Sequence, residues 1–298
     1  LRDFDRLRCI FTVAFLALTA AQCVGESNAG EFSMRAIPDN FRASPKILGG
    51  TRADREKWPA TLVFTTDSGE LCTATVIGDQ ILITAAHCVV DGLSGHVVWD
   101  NQNVRMYCKV HPEYSDSPRS KDDLPCHLRV YANEIAACTA DVALCHTEKG
   151  KVFSEYVGHF ERVKHLPPAV VEHKNIALLG YGCVDANTRA GGDLSIGSAE
   201  VLHSSVPDAS KNPDKSFDEF IQTKGAGVCY GDSGGAGYTS DDPKSREIVG
   251  INSRGNLSNG SSLVNLKDAR IAKFLADFSA SNGAPICGLD PGAKNCAF

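Results

Sequence analysis

A serine set among glycines, in "GVCYGDSGGAG" at residues 227–237, is the stretch of this chain best suited to nucleophilic chemistry. Gly231, Gly234 and Gly235 carry no Cβ, so another molecule's backbone can come close to the Ser233 hydroxyl. A serine hydroxyl is a weak nucleophile until a base takes its proton. In "ILITAAHCVV" a buried-looking strand ends at Thr84, and His87 follows at once, beside Cys88. In "TADVALCHT" Asp141 precedes three apolar residues, which places it where a strand becomes buried. A buried carboxylate needs a partner, and an imidazole N–H would serve. Asp122 and Asp123 in "SKDDLPC" are rival carboxylates, in a polar stretch that reads as a solvated loop.

Positioning these groups requires rigid elements around them. "LCTATVI" and "QILITAA" flank Gly78 and Asp79 and predict a hairpin. A Cys72–Cys88 bridge across it would close a loop of about 15 residues, worth roughly 3 kcal/mol in the chain-entropy model, and would hold the segment carrying His87. "NIALLGYG" and "EIVGINS" read as further short strands, so the texture predicts an all-β barrel or sandwich. One helix is expected, in "LKDARIAKFLADFSA". There Ile271, Phe274, Leu275 and Phe278 fall at helical spacing behind Asp268 as N-cap. The tail after it, residues 281–298, carries Cys287 and Cys296, as a small disulfide loop or a tie to the body. "HLPPAVVEHKN", at 165–175, reads as a link between two halves.

The chain has 298 residues, 43% hydrophobic and 22% charged, which suits a soluble globular protein with a sizeable core. Its net charge of −6 gives no reason to expect nucleic acid or anionic membrane as a partner. Arg2, Arg6 and Arg8 precede an apolar run from Cys9 to Ala21 that ends in small residues, so residues 1–21 read as a signal peptide, too short to span a bilayer. Setting aside Cys9 and Cys23 leaves ten of the twelve cysteines, a number suited to five disulfides in a secreted product. Zinc is the rival use of cysteine, but neither a C-x-x-C pair nor H-E-x-x-H occurs. No metal and no cofactor are implied.

Gly231, Ser233 and Gly235 also satisfy the G-x-S-x-G elbow of α/β-hydrolases. That fold orders its triad serine, acid, histidine, whereas all nine histidines here precede Ser233, the last being His203. The order His87, Asp141, Ser233 is that of the chymotrypsin-like serine proteases, which the sequence resembles strongly. "ILGG" at 47–50 resembles the family's mature N-terminus, "TAAHC" its histidine box, "DVAL" its aspartate box and "GDSGG" its serine box.

The resemblance covers residues 47–280 and implies two six-stranded antiparallel β-barrels, a cleft site between them and a C-terminal helix. It implies Ser233 as nucleophile, His87 as general base and acid, and Asp141 as its orienting partner. The N–H groups of Gly231 and Ser233 would form the oxyanion hole. Ser253 matches the family's serine beside the triad aspartate, and its segment should pair with substrate backbone. Cleavage after Lys46 would free an ammonium on Ile47 to pair with Asp232, making residues 22–46 an activation peptide. Two departures stand out: Arg254 replaces a common aromatic, and the usual cysteine partner of Cys229 is missing from "RGNLSNGSS". Cys183 in "GYGCVD" is the candidate replacement; Cys108, Cys126, Cys138 and Cys145 are left to pair in an order the sequence does not assign.

By the same alignment, Gly227 stands where trypsin-like members carry the aspartate that binds lysine or arginine. Residues 248–267 contain no Asp or Glu either. Burying a substrate cation there would be costly. Val228 should give an apolar floor and Gly255 an open entrance, so the expected P1 residues are uncharged, apolar, and medium or large. Asn256 and Asn259 each begin an N-x-S sequon. The expected partners are protein or peptide substrates and an activating trypsin-like protease, with the enzyme a monomer. The competing reading is a non-catalytic binding module on the same fold. Dead relatives typically lose a triad residue, and this chain keeps all three.

Overall fold

The strand-like apolar runs "ILIT" and "VALC" do not alternate with polar residues, because both of their faces are buried. Leu82, Ala143 and Cys145 point into one core, while Ile81, Ile83, Val142 and Leu144 join another. The computed structural model describes residues 47–99, 102–114, 140–163, 173–183, 192–204 and 220–297. Residues 1–46, Asp122, Asp123, Cys126, Cys138 and most of 165–175 lie outside them.

After a short strand β1 (Thr51–Arg52), six strands close into an antiparallel barrel: β2 (Thr61–Thr66), β3 (Leu71–Gly78), β4 (Ile81–Thr84), β5 (Ser94–Trp99), β6 (Gln102–Val110) and β7 (Ala143–Thr147). Around the ring they run β2-β3-β4-β7-β6-β5. The expected hairpin is β3–β4, with Thr75 opposite Ile83. The second barrel is built from β8 (Asn175–Gly180), β9 (Ser195–Ser204), β10 (Phe220–Gly225), β11 (Ala236–Tyr238), β12 (Ile248–Gly255) and β13 (Gly260–Asn265). They run β9-β10-β13-β12-β11-β8, and an antiparallel β8–β9 pairing closes the ring. β1 adds to the outside of β9.

Leu62, Phe64, Val76, Val97 and Met106 fill the first barrel; Leu178, Val201, Ile221, Val249 and Leu263 fill the second. A third core lies between them, where Ile77, Ile83 and Leu144 meet Leu179, Tyr238 and Ile251. The helix α1 (Ala269–Asn282) buries Ile271, Phe274, Leu275 and Phe278 in this middle core. Asp268 caps its start by accepting the Arg270 N–H. Although α1 follows the second barrel, it packs on the first: His111 meets Phe274 edge-on at 5.1 Å between ring centres.

Four disulfides join described residues: Cys72–Cys88, Cys108–Cys145, Cys183–Cys229 and Cys287–Cys296. Cys108 and Cys145 are direct partners across β6 and β7, a register no spacing rule could reveal. The C-terminal tail is both a disulfide loop and a tie. The Cys287 N–H donates to the Ile77 carbonyl, and the Val163 N–H donates to the Cys287 carbonyl. A buried ion pair also joins the barrels. The Arg246 guanidinium grips both carboxylate oxygens of Glu161 and lies 3.7 Å from the centre of the Trp58 ring. The sequence reading missed it, because its partners are 85 residues apart.

Candidate active site

The first barrel supplies a base and a carboxylate already joined. β4 ends at Thr84, and a single 3-10 turn, Ala86–Cys88, carries His87, with Cys88 bonded back to Cys72 on β3. Asp141 stands two residues before β7, wholly buried. Ala140, at φ 32°, adopts the left-handed region that L side chains avoid and turns the chain inward there. β4 and β7 are paired through Thr84 and Ala143, which brings the two segments side by side. His87 Nδ1 lies 2.7 Å from Asp141 Oδ2, and the His87 backbone N–H donates to Oδ1 at 2.9 Å. Ser253, from the second barrel, donates its hydroxyl to Oδ2 at 2.6 Å.

Burial alone would raise the Asp141 pKa. The charge and hydrogen bond of His87 outweigh it, helped by the Arg254 charge and the Ser253 hydroxyl, and hold the carboxyl well below the usual range. With Asp141 ionised, Nδ1 carries the ring proton, so Nε2 of the neutral imidazole is a proton acceptor. The His87 side chain is 29% exposed, within reach of solvent or a bound molecule.

The second barrel supplies the serine. Its loop wedges between the ends of β3 and β4: the Thr73 N–H donates to the Ser233 carbonyl at 2.8 Å. A Cβ on Gly234 would lie 2.1 Å from Thr84 Oγ1, so only glycine allows this approach. The Ser233 carbonyl is 3.9 Å from Cys88 Sγ, which places the serine beside the histidine turn. Gly231 adopts φ 94° and needs the same freedom. Among the described residues neither the Gly231 nor the Ser233 N–H donates to a backbone carbonyl. Ser233 itself is half-buried.

Asp232 is fully buried. It accepts the N–H groups of Gly182 at 2.8 Å and Cys229 at 2.8 Å, and burial pushes its pKa up to about 8 against those bonds. Ile47 is also buried, in the core of the second barrel, and Leu48 pairs both ways with Gly227. The Cys183–Cys229 disulfide and a Cys183 N–H to Tyr230 carbonyl bond fasten the serine loop to the end of β8.

Gly255, expected at the pocket entrance, packs against the pocket segment: a Cβ there would lie 2.4 Å from the Val228 carbonyl oxygen. β12 and β13 form a tight hairpin whose turn, Asn256–Asn259, leans on the pocket segment. The Gly225 N–H donates to the Asn259 carbonyl at 2.8 Å, and the Val228 N–H to Ser261 Oγ at 2.9 Å. Asn256 Oδ1 accepts the N–H groups of Ser258, Asn259 and Gly260, which fixes the turn. Val228 is consequently 3% exposed.

Sequence reasoning missed the roles of Thr73, Thr84 and Asn256: it placed Thr84 only as a strand end and Asn256 only in a sequon. Each acts through a hydrogen bond to a residue distant in sequence or to a turn, and a threonine or asparagine carries no motif of its own. The one metal-like grouping among the described residues, Cys72, His87 and Cys88, has its two sulfurs bonded to each other.

Residues 47–274 match the family model described as Trypsin. Snake venom serine protease 3 of Protobothrops flavoviridis is 23% identical over 200 residues, covering 65% of this chain and 72% of the venom protein. Transmembrane protease serine 11E of Mus musculus is 37% identical over 54 residues, 18% of this chain and 13% of that protein. Among solved structures, mouse neuropsin, a serine protease, superposes with a TM-score of 0.57 at 17% identity. The match covers 78% of this chain and 99% of neuropsin. Among the described residues no helix is long and apolar enough to cross a membrane.

Proposed function

Because the chain belongs to the trypsin family of serine proteases, we propose that it is a secreted endopeptidase made as a zymogen. The observation that carries this reading is the chain of contacts from Ser253 through Asp141 to His87, with the Ser233 carbonyl beside the disulfide of the histidine turn. Ser233 Oγ attacks the scissile carbonyl while His87 Nε2 takes its proton. Asp141 holds the imidazole in the right tautomer and stabilises the imidazolium. The tetrahedral oxyanion is met by the Gly231 and Ser233 N–H groups, each able to contribute about 3 kcal/mol to the transition state. His87 then protonates the leaving amine, and water repeats the sequence on the acyl-enzyme.

The cleft takes uncharged P1 residues in this reading. Gly227 and the acid-free stretch 248–267 offer a cation no counter-charge, and Arg254 adds a positive one nearby. The contact between Gly255 and Val228 favours small apolar side chains over the medium or large ones expected from sequence. Profiling the processed enzyme on a peptide library tests this; dominant cleavage after Arg or Lys would overturn it. Labelling of Ser233 by a fluorophosphonate, lost in Ser233→Ala, tests the activity itself. An inert processed protein would leave the binding-module reading.

Activation follows from the same residues. Cleavage after Lys46 would give Ile47 an ammonium, the counter-ion that the buried Asp232 needs. A pocket unsuited to lysine cannot make that cut, so a separate trypsin-like protease must. Purified precursor should stay intact alone and convert with a trace of trypsin. Spontaneous conversion to a form beginning at Ile47, abolished by Ser233→Ala, would show that the pocket is misassigned.

A further inference from the structure

Thr73, on β3, is fully buried, and every polar atom it has is engaged. Its N–H donates to the Ser233 carbonyl at 2.8 Å, and its carbonyl accepts from Thr84 Oγ1 at 2.8 Å. Its hydroxyl donates to the Gly231 carbonyl at 2.7 Å while accepting the Tyr181 N–H at 3.0 Å. One residue of the first barrel therefore grips the carbonyls of Gly231 and Ser233, whose N–H groups face the reacting centre in the proposed mechanism. A planar peptide ties each carbonyl to the next residue's N–H, so Thr73 anchors the Gly231–Asp232 and Ser233–Gly234 peptides. The Ser233 N–H belongs to the peptide between these two, and the Gly231 N–H to the one before them, whose Tyr230 carbonyl accepts the Cys183 N–H.

We infer that Thr73 is a positioning residue for the oxyanion hole, fastening a second-barrel loop to the barrel that carries His87 and Asp141; this rests on the protease reading above. Thr73 touches neither substrate nor reacting atoms. Its hydroxyl acts through the Gly231 peptide, and the same oxygen fixes the end of β8 through Tyr181. Preorganised donors stabilise an oxyanion because they need not move when charge develops. Deleting the hydroxyl leaves the Gly231 carbonyl and the Tyr181 N–H buried without partners, and the loop must shift to satisfy them.

The test compares three variants of the processed enzyme with wild type. Thr73→Val removes the hydroxyl at nearly constant volume. It should lower kcat about a hundredfold, the scale of a misplaced catalytic geometry, with KM little changed. Affinity for a peptide boronate, which forms a tetrahedral oxyanion on Ser233, should fall in parallel. Binding of an uncleaved substrate peptide, measured in a Ser233→Ala background, should not. Thr73→Ser keeps the hydroxyl and should recover both kcat and boronate affinity. Thr73→Ala deletes the same hydroxyl without setting a methyl against the Gly231 carbonyl, and it serves if the valine variant does not fold; circular dichroism and melting verify the fold. A folded valine or alanine variant with wild-type kcat and boronate affinity overturns the assignment, as does a serine variant that fails to recover. Wild-type protein whose Ser233 is not labelled by a fluorophosphonate overturns the protease reading and this assignment with it. Labelled wild type with indifferent Thr73 variants overturns this assignment alone.

Discussion

The histidine turn and the serine loop each carry a disulfide, yet they are held in different ways. His87 rides on a bridge between two neighbouring strands of one barrel, Cys72 on β3 and Cys88 just past β4, and its carboxylate partner leads into β7, paired to β4. Ser233 depends on contacts that cross the molecule: Thr73 from the first barrel, Cys183 at the end of β8, and the buried Asp232 carboxyl. Local chain geometry assembles the first half. The second half is assembled by long-range contacts.

The largest effect should come from breaking the first half at its buried link. Asp141→Asn keeps the shape, but its amide can no longer hold the Nδ1 proton, so the imidazole presents the wrong tautomer. A loss of roughly 10⁴ in kcat is expected with the fold retained. A loss smaller than tenfold would mean that His87 is oriented by something other than Asp141.

The disulfides should separate the halves next. Replacing Cys183 and Cys229 with serine releases the oxyanion loop, and kcat should fall about a hundredfold, the scale of one lost oxyanion donor. Replacing Cys72 and Cys88 with alanine should instead be felt as stability, about 3 kcal/mol by the chain-entropy argument, read from denaturant unfolding. If the two pairs gave the same ratio of activity loss to stability loss, the distinction between local and long-range assembly would fail.

What could be read from the sequence follows the same division. His87, Asp141 and the Cys72–Cys88 bridge were legible because strand ends, apolar runs and a short loop carry local signals. The helix α1 was legible for the same reason, its apolar spacing and Asp268 cap being confined to one segment. The packing of Gly255 was not legible because it depends on how the β12–β13 turn leans on residues 225–228, a contact between segments. Thr73 and the Glu161–Arg246 pair were invisible on similar grounds: their partners are 158 and 85 residues away.

A smaller effect, and one peculiar to the serine half, lies in its pH response. Asp232 has its folded pKa raised to about 8 by burial, against about 3.9 in an unfolded chain. The folded precursor therefore holds a proton that the unfolded chain gives up, so its stability is highest below about pH 4 and declines as pH rises towards about 8. After cleavage the Ile47 ammonium favours the carboxylate, and this decline should vanish. Melting temperatures of precursor and processed protein across that window check the sign. Asp232→Asn should flatten the precursor's curve; a precursor whose stability rose over the same range would contradict the buried, unpaired carboxylate.

The smallest effect concerns the wall at Gly255. Asn256 Oδ1 gathers three N–H groups at the tip of the β12–β13 hairpin, and that tip holds Gly255 against Val228. Asn256→Ala removes the acceptor and loosens the turn, at a stability cost of about 1 kcal/mol by analogy with a lost helix cap. The Gly255–Val228 contact should then open more often. Cleavage after leucine or phenylalanine should rise a few-fold relative to cleavage after alanine, with little change in kcat for the small residue. Asn256→Asp is the control, because a carboxylate oxygen accepts the same three N–H groups while the sequon is destroyed. If the aspartate variant broadened the P1 profile as much as the alanine variant, the effect would belong to a glycan or a charge at Asn256. A profile narrowed only by the turn should broaden in the alanine variant and stay narrow in the aspartate one.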